Sequence, residues 1–475
     1  MAVIRVKILD KSEEDIVHDQ SLKSLNEIGV LVRSESVLKL LDESGANVDH
    51  KKLIAKIPEE MVKEALSKAP KEFKLCARDP KNDIELPVDG IPKISTDGLT
   101  VYTIDPDTGQ KRSAVRKDLV RLANLADALD PVDFFWPMVT VNDVPEATHS
   151  THEYWASMRG CAKHVQGDTL SVLEAKTQIE MASLVVGGRD ELRKRPIFSS
   201  MMCPIAPLSF EKGAVEAQVE LAKAGIPVVS MSMSLSGMSA PVTFAGTIVN
   251  ANTENLASLV ITQSAQPGAP HIYSSESSPI DMLTGNMNWT VSEFPAICAA
   301  GGQMAKRYGR PAMVGGWGVG GSKPGINMSF CEVTASIMGI MCNTDLGPGI
   351  GGFDDAKGCA LEQIVIDAYF WDEYRQFLRK FSVTEEEVAL DVVREVGHGN
   401  SFLTHPHTAK NFKKALHFWD KKKLAWQATL SDSMVGEARE VAKAILKEHE
   451  VKQIGPDIVK QCDAVLGDFD KARAK

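Results

Sequence analysis

Residues 210–225 read FEKGAVEAQVELAKAG and run into PVVSMSM at 227–233, and this pair sets the fold. The first stretch has the apolar spacing of an amphipathic helix closed by glycine. The second is a short apolar strand. The same step recurs in both directions along the chain. Upstream, KDLVRLANLADALD (117–130) leads to DFFWPMV (133–139), PEATHSTHEYWASMRGCA (145–162) to KHVQGD (163–168), and LEAKTQIEMASLVVGG (173–188) to PIFSSMMC (196–203). Downstream, the helix at 241–264 leads to HIYSSES (271–277), EFPAICAAGGQMAKRYG (293–309) to AMVGGWG (312–318), and NMSFCEVTASIMGIMC (327–342) to TDLGPG (344–349). Every step is long enough for a parallel crossover. One strand beyond these seven candidates closes an α/β architecture, the TIM (β/α)8 barrel, with an N-terminal helical subdomain and a C-terminal helical extension. An open dinucleotide-binding sheet is disfavoured, because no early strand runs into G-x-G-x-x-G.

The flanks divide accordingly. Residues 1–90 form an N-terminal helical subdomain, with SEEDIVHDQSLKSLNEIGV, SESVLKLLDESGA and PEEMVKEALSKAP as its helices. Residues 91–130 hold a hairpin, alternating over Thr100–Ile104 with DPDTGQ as its turn, and a lead-in helix. The barrel core is assigned to 131–382 and a charged helical region to 383–475. With 53 basic and 63 acidic side chains the net charge is -10, which argues against a broad nucleic-acid surface. The run Lys421-Lys422-Lys423 reads as a solvated helix face. Eight cysteines without a CxxC pair support neither a disulfide framework nor a zinc cluster. The first twenty residues carry acids where a signal peptide needs an apolar core, and no apolar run reaches the roughly 18 residues of a membrane span. A cytoplasmic protein with no membrane association is expected, and a homo-oligomer.

Reactive residues of such barrels lie at the C-terminal ends of strands. Those ends offer Trp136, Tyr273, Glu276, Trp317, Asp345 and Phe353. Core packing is the default for any single aromatic. Trp317 is set apart by the glycines of AMVGGWGVGGSKPG (312–325), read as leaving its indole few neighbours and clearing room for a ligand. The same stretch misses the P-loop template, since Lys323 comes one place late and no Ser or Thr follows it. GHGNSFLTHPHT (397–408) carries the pair His405 and His407, but after the last visible strand, so no metal site is expected. His398 and His405 are placed instead on a loop at the barrel mouth, able to donate to an anionic group. No nucleophile elbow with a matched triad is evident, and no catalytic residue is assigned.

Taken in order, IVHDQSLKSLNEIGV (16–30), VYTIDPDTGQKRSAVRKDLVRLANLADALDPVDF (101–134), CPIAPLSFEKGAVE (203–216), GMSAPVTFAGTIVNANTENLASLVITQSAQPGAPHIYS (237–274), GSKPGINMSFCEVTASIMG (321–339) and GHGNSFLTHPHT resemble the trimethylamine methyltransferase family of corrinoid-dependent methyltransferases. The resemblance implies a TIM barrel that moves a methyl group from a methylated amine to the Co(I) corrinoid, a cobalamin, of a cognate partner protein, with no cofactor tightly bound to this chain. Founding members carry pyrrolysine. Only the twenty standard residues occur here, so the chain resembles the branch acting on quaternary amines, with glycine betaine first and proline betaine, carnitine or a tertiary methylamine as alternatives. A non-catalytic betaine-binding protein and a metal-dependent barrel hydrolase are the readings from other classes. Under the resemblance, Trp136, Tyr273, Trp317 and Phe353 with Glu276 or Asp345 hold the cation, and His398, His405 or Lys323 hold a betaine carboxylate.

Overall fold

Eight parallel strands close into a ring in the computed structural model, which describes residues 5–287, 289, 291–328, 330–342, 344–418, 422, 424 and 433–474. In chain order the strands are β1 (Lys93–Thr96), β2 (134–135), β3 (Val165–Asp168), β4 (Phe198–Met202), β5 (Val228–Ser232), β6 (His271–Ser275), β7 (Ala312–Val314) and β8 (Leu346–Ile350). β3 to β8 pair successively, and β8 pairs with β1. The short β2 completes the ring, bridging Ser95 to Phe134 and Phe135 to Val165. The strand that closes the barrel therefore lies ahead of the 131–382 segment, in KIST at 93–96. Too short to show periodicity, it was hidden beside the hairpin Tyr102–Ile104 and Lys111–Arg112, which the structure also contains.

Alternation divides the strand side chains between two cores. Phe134, Met201, Val229, Met231, Ile272, Met313 and Leu346 fill the interior. Tyr273, Ala312 and Val314 face the surrounding helices. A second hairpin, Phe73–Leu75 with Ile84–Leu86, inserts Leu75, Ile84 and Leu86 into the interior cluster and plugs the N-terminal end of the barrel. The mouth at the C-terminal end stays open.

The N-terminal subdomain is mixed rather than purely helical. Helices Lys11–Lys23, Glu35–Glu43 and Glu59–Lys68 accompany strands Val30–Val32, Asn47–Asp49 and Ile54–Lys56. Val30–Val32 pairs with Ser209–Phe210 in the loop after β4, which stitches this subdomain to the barrel. The C-terminal helices, expected as a charged region, use their apolar faces on the barrel wall. Ala438 and Ala442 of helix Ser433–Glu448 pack against helices Arg116–Ala128 and Leu361–Tyr374, and Cys462, Leu466 and Phe469 of helix Pro456–Arg473 against Val172–Val186. Lys421 and Lys423 lie outside the described residues. Among the described residues no helix is long and apolar enough to cross a membrane.

The plug makes a direct prediction. Leu75 is fully buried among barrel side chains, so Leu75→Ala should cost about 2–5 kcal/mol in urea denaturation. A loss below about 1 kcal/mol would mean that the hairpin only rests on the barrel.

Candidate active site

A cavity of about 510 Å³ opens at the C-terminal end of the barrel. Its volume falls within the range of small-molecule sites. Every strand delivers to it. Asp97 follows β1, Trp136 follows β2, Asp168 ends β3, Met201 and Cys203 come from the end of β4, Met231 and Met233 from β5, and Glu276 follows β6. Trp317 follows β7, and Pro348 and Gly349 belong to β8.

Backbone contact fixes the wall after β7 and β8. A Cβ on Gly349, whose φ is +128°, would lie 2.4 Å from the Trp317 carbonyl oxygen, and one on Gly316 would lie 2.7 Å from that of Pro348. The Trp317 N–H donates to the Pro348 carbonyl at 2.8 Å. The glycines thus let two segments pack backbone against backbone, and Gly316, Gly318, Gly320 and Gly321 also line the cavity. Trp317 is well packed too. Its ring stacks on Tyr374 at 4.8 Å and meets Trp371 at 5.3 Å, its Nε1 donates to the Asp367 carbonyl at 3.1 Å, and only 4% of it is exposed. Trp317 nonetheless belongs to the cavity lining.

Trp136 lies over Gly98, where a Cβ would meet the indole at 2.3 Å. Its Nε1 donates to Asp168 at 3.1 Å. Phe353 packs edge-on to Tyr102, with centroids 5.9 Å apart. Trp289 and Phe294 complete the aromatic lining. The rim turn Asp354-Asp355-Ala356 holds φ of 56°, 52° and 58°, three consecutive left-handed residues without a glycine. Such strain persists where surrounding contacts enforce it, here the 2.8 Å bond from the Tyr102 hydroxyl to Asp354.

The electrostatics are one-sided. Asp97, Asp168, Glu276, Asp354 and Asp355 line the cavity, and among the described residues no Lys, Arg or His does. Desolvation pushes Asp97 and Asp168 up to about 6, each against a single hydrogen bond, from Gly98 N–H at 3.0 Å and from Trp136. Burial, with the Asp97 charge adding to it, pushes Glu276 up to about 8. Glu276 Oε1 is shut off from solvent without a hydrogen-bond partner.

Of the residues read from the sequence, Trp136, Glu276, Trp317 and Phe353 meet at this cavity. Four do not. Tyr273 is mid-strand and points outward, donating to Asn252 Oδ1 at 3.2 Å. Asp345 precedes β8, so it sits at the opposite barrel end, where it accepts from Val88 N–H at 2.9 Å and Ala312 N–H at 2.7 Å and pairs with Lys306. His405 caps helix Pro406–Ala415, its Nδ1 accepting from the His407 N–H at 3.1 Å and its Nε2 meeting Glu395 at 3.2 Å. His398 is exposed and, like exposed Lys323, is absent from the lining. Sequence reasoning missed Asp97, Asp168 and Trp289. Asp168 closes a strand that was recognised, so the strand-end rule could have found it; Asp97 was hidden with β1, and Trp289 lies in a loop that carries no pattern.

The fold and site define a TIM barrel whose acidic, aromatic mouth suits a small cation. The family model for trimethylamine methyltransferase (MTTB) matches residues 2–473, and the chain belongs to that family. It is 31% identical over 399 residues to trimethylamine methyltransferase MttB of Desulfitobacterium hafniense strain DCB-2, spanning 84% of this chain and 80% of that protein. It is 27% identical over 489 residues to a glycine betaine methyltransferase of D. hafniense strain Y51, covering 99% and 98%. The crystal structure of the hydroxylamine MtmB complex superposes with a TM-score of 0.50 at 13% identity over 93% of both chains, a likeness of fold. The chain is accordingly a methyltransferase acting on methylated amines.

Carboxyls raised in the folded state bind protons more readily there than in the unfolded chain. The stability they contribute is complete below their ordinary values, 3.8 for Asp and 4.5 for Glu, and is lost as pH rises through about 6 to 8. The melting temperature of the free protein should therefore fall between pH 5.5 and roughly 8.5. Glu276→Gln should flatten the upper part of that fall, and an unchanged slope in this variant would contradict the assignment.

Proposed function

We propose that this chain transfers a methyl group from a quaternary ammonium compound to the reduced corrinoid of a partner protein. The observation that carries the reading is the pairing of aromatic faces with five carboxyls and no cationic side chain among the described lining. A quaternary ammonium cannot donate a hydrogen bond through nitrogen, so it is held by ring faces and by charge, each ring contributing roughly 0.5–2 kcal/mol when desolvated. Trp136 and Phe353 supply faces, Trp317 adds to the wall beside them, and the carboxylates supply the charge.

The chemistry asks little else of the protein. As the methyl carbon passes to the corrinoid, the C–N bond breaks and its electron pair stays on nitrogen, leaving a neutral tertiary amine that needs no proton. The remaining tasks are to aim one methyl group at the open mouth and to exclude water. Within this class, glycine betaine is the member favoured by the sequence reading, and the glycine betaine methyltransferase among the relatives supports it. The cavity supports only the ammonium end of that molecule.

The test mixes the protein with a Co(I) corrinoid protein and a panel of methylamines, following corrinoid absorbance. Turnover of quaternary amines is expected, and turnover of trimethylamine alone would refute the reading. Trp136→Ala should raise KM about 2- to 30-fold with the fold intact. An unaltered KM would remove Trp136 from the site.

A further inference from the structure

Residues 381–418 form an arm that packs on little of its own chain. None of the helices Glu385–Val388, Leu390–Val396 and Pro406–Ala415 makes an extensive contact with another element, and in the whole stretch only Ala389 and Val392 are buried. Yet nine of the 23 large apolar side chains exposed among the described residues lie here, Phe381, Leu390, Leu403 and Phe418 among them. Together they present on the order of 900 Å², above the roughly 300–600 Å² of the largest apolar patch on a typical monomer and near the roughly 800 Å² that each partner gives to a stable interface.

The arm is anchored at the base of the barrel, away from the mouth. Lys380 pairs with Asp89, just ahead of β1, and His417 meets Glu373 at 3.1 Å, at the end of the helix that returns from β8. A methyl acceptor seated at the mouth leaves this face bare. Charge narrows the occupant further. From 384 to 396 the arm carries Glu385, Glu386, Glu387, Asp391 and Glu395 against Arg394 alone; from 406 to 416 it carries Lys410, Lys413 and Lys414 and no acid. Among the described residues the two halves form one ion pair within the chain, Lys414 with Glu387 at 4.0 Å. Between them lie the exposed Phe402 and Leu403. Such an arm complements itself, since a two-fold axis sets the acidic half of one copy on the basic half of the other, twice, while the apolar side chains meet.

We propose that residues 381–418 form an isologous interface with the same arm of a second copy of the chain. The two barrels join through their bases, and both mouths stay open. Sedimentation velocity of the full chain at micromolar concentration tests this, with a dimer or a multiple of dimers expected. Leu390→Glu combined with Leu403→Glu should raise the dissociation constant at least about tenfold while the circular dichroism of the folded chain is retained. Lys410→Glu with Lys413→Glu should weaken the pair as well. Adding Glu386→Lys and Asp391→Lys to that chain should restore it, a rescue that a folding defect would not show. A monomeric wild-type chain, an oligomer that survives both variants, or a charge reversal that the swap fails to rescue would overturn the proposal. None of these results bears on the methyl-transfer reading.

Discussion

The buried carboxylate of Asp367 holds the mouth of this barrel in shape. One oxygen accepts from the Val319 N–H at 2.8 Å and from Gln363 Nε2 at 2.9 Å; the other accepts from the Gly351 N–H at 2.7 Å. The N–H groups of Val319 and Gly351 belong to the segments that follow β7 and β8, which contact each other largely through backbone. Where backbone meets backbone, such hydrogen bonds hold the register of the two segments. Burial raises Asp367 to about 7 against the lowering effect of its donors. The positions of Trp317, Gly349 and Phe353, and hence one wall of the cavity, follow from this arrangement.

The rest of the lining is governed by charge. Asp97, Asp168 and Glu276 come from three different strand ends, and a bound cation relieves the desolvation that each suffers. Trp136 joins the two kinds of recognition, since it lines the cavity while its N–H holds Asp168. For a substrate that already carries its leaving group in neutral-amine form, orientation and exclusion of water are the main contributions open to the protein. A site rich in fixed acids and aromatic rings matches that requirement.

The barrel was legible because its helix-to-strand steps are long and strongly periodic, as in 210–233. β1 escaped notice because four residues cannot display a period, and β2 is shorter still. For the site, the strand-end rule succeeded where the residue follows its strand, as with Trp136, Glu276 and Trp317. It failed for Asp345, which precedes its strand, and for Tyr273, whose alternation sends it outward. The roles of the glycines and of Asp367 depend on contacts between segments distant in sequence, and no local pattern announces them.

A crystal structure of the protein with a bound quaternary ammonium addresses the central claim most directly. The account predicts the cation inside the barrel mouth, its nitrogen within about 6 Å of the Trp136 or Phe353 ring centroid and its charge facing Asp168 and Glu276. A cation bound elsewhere on the protein, with the mouth holding only solvent at saturating ligand, would contradict it.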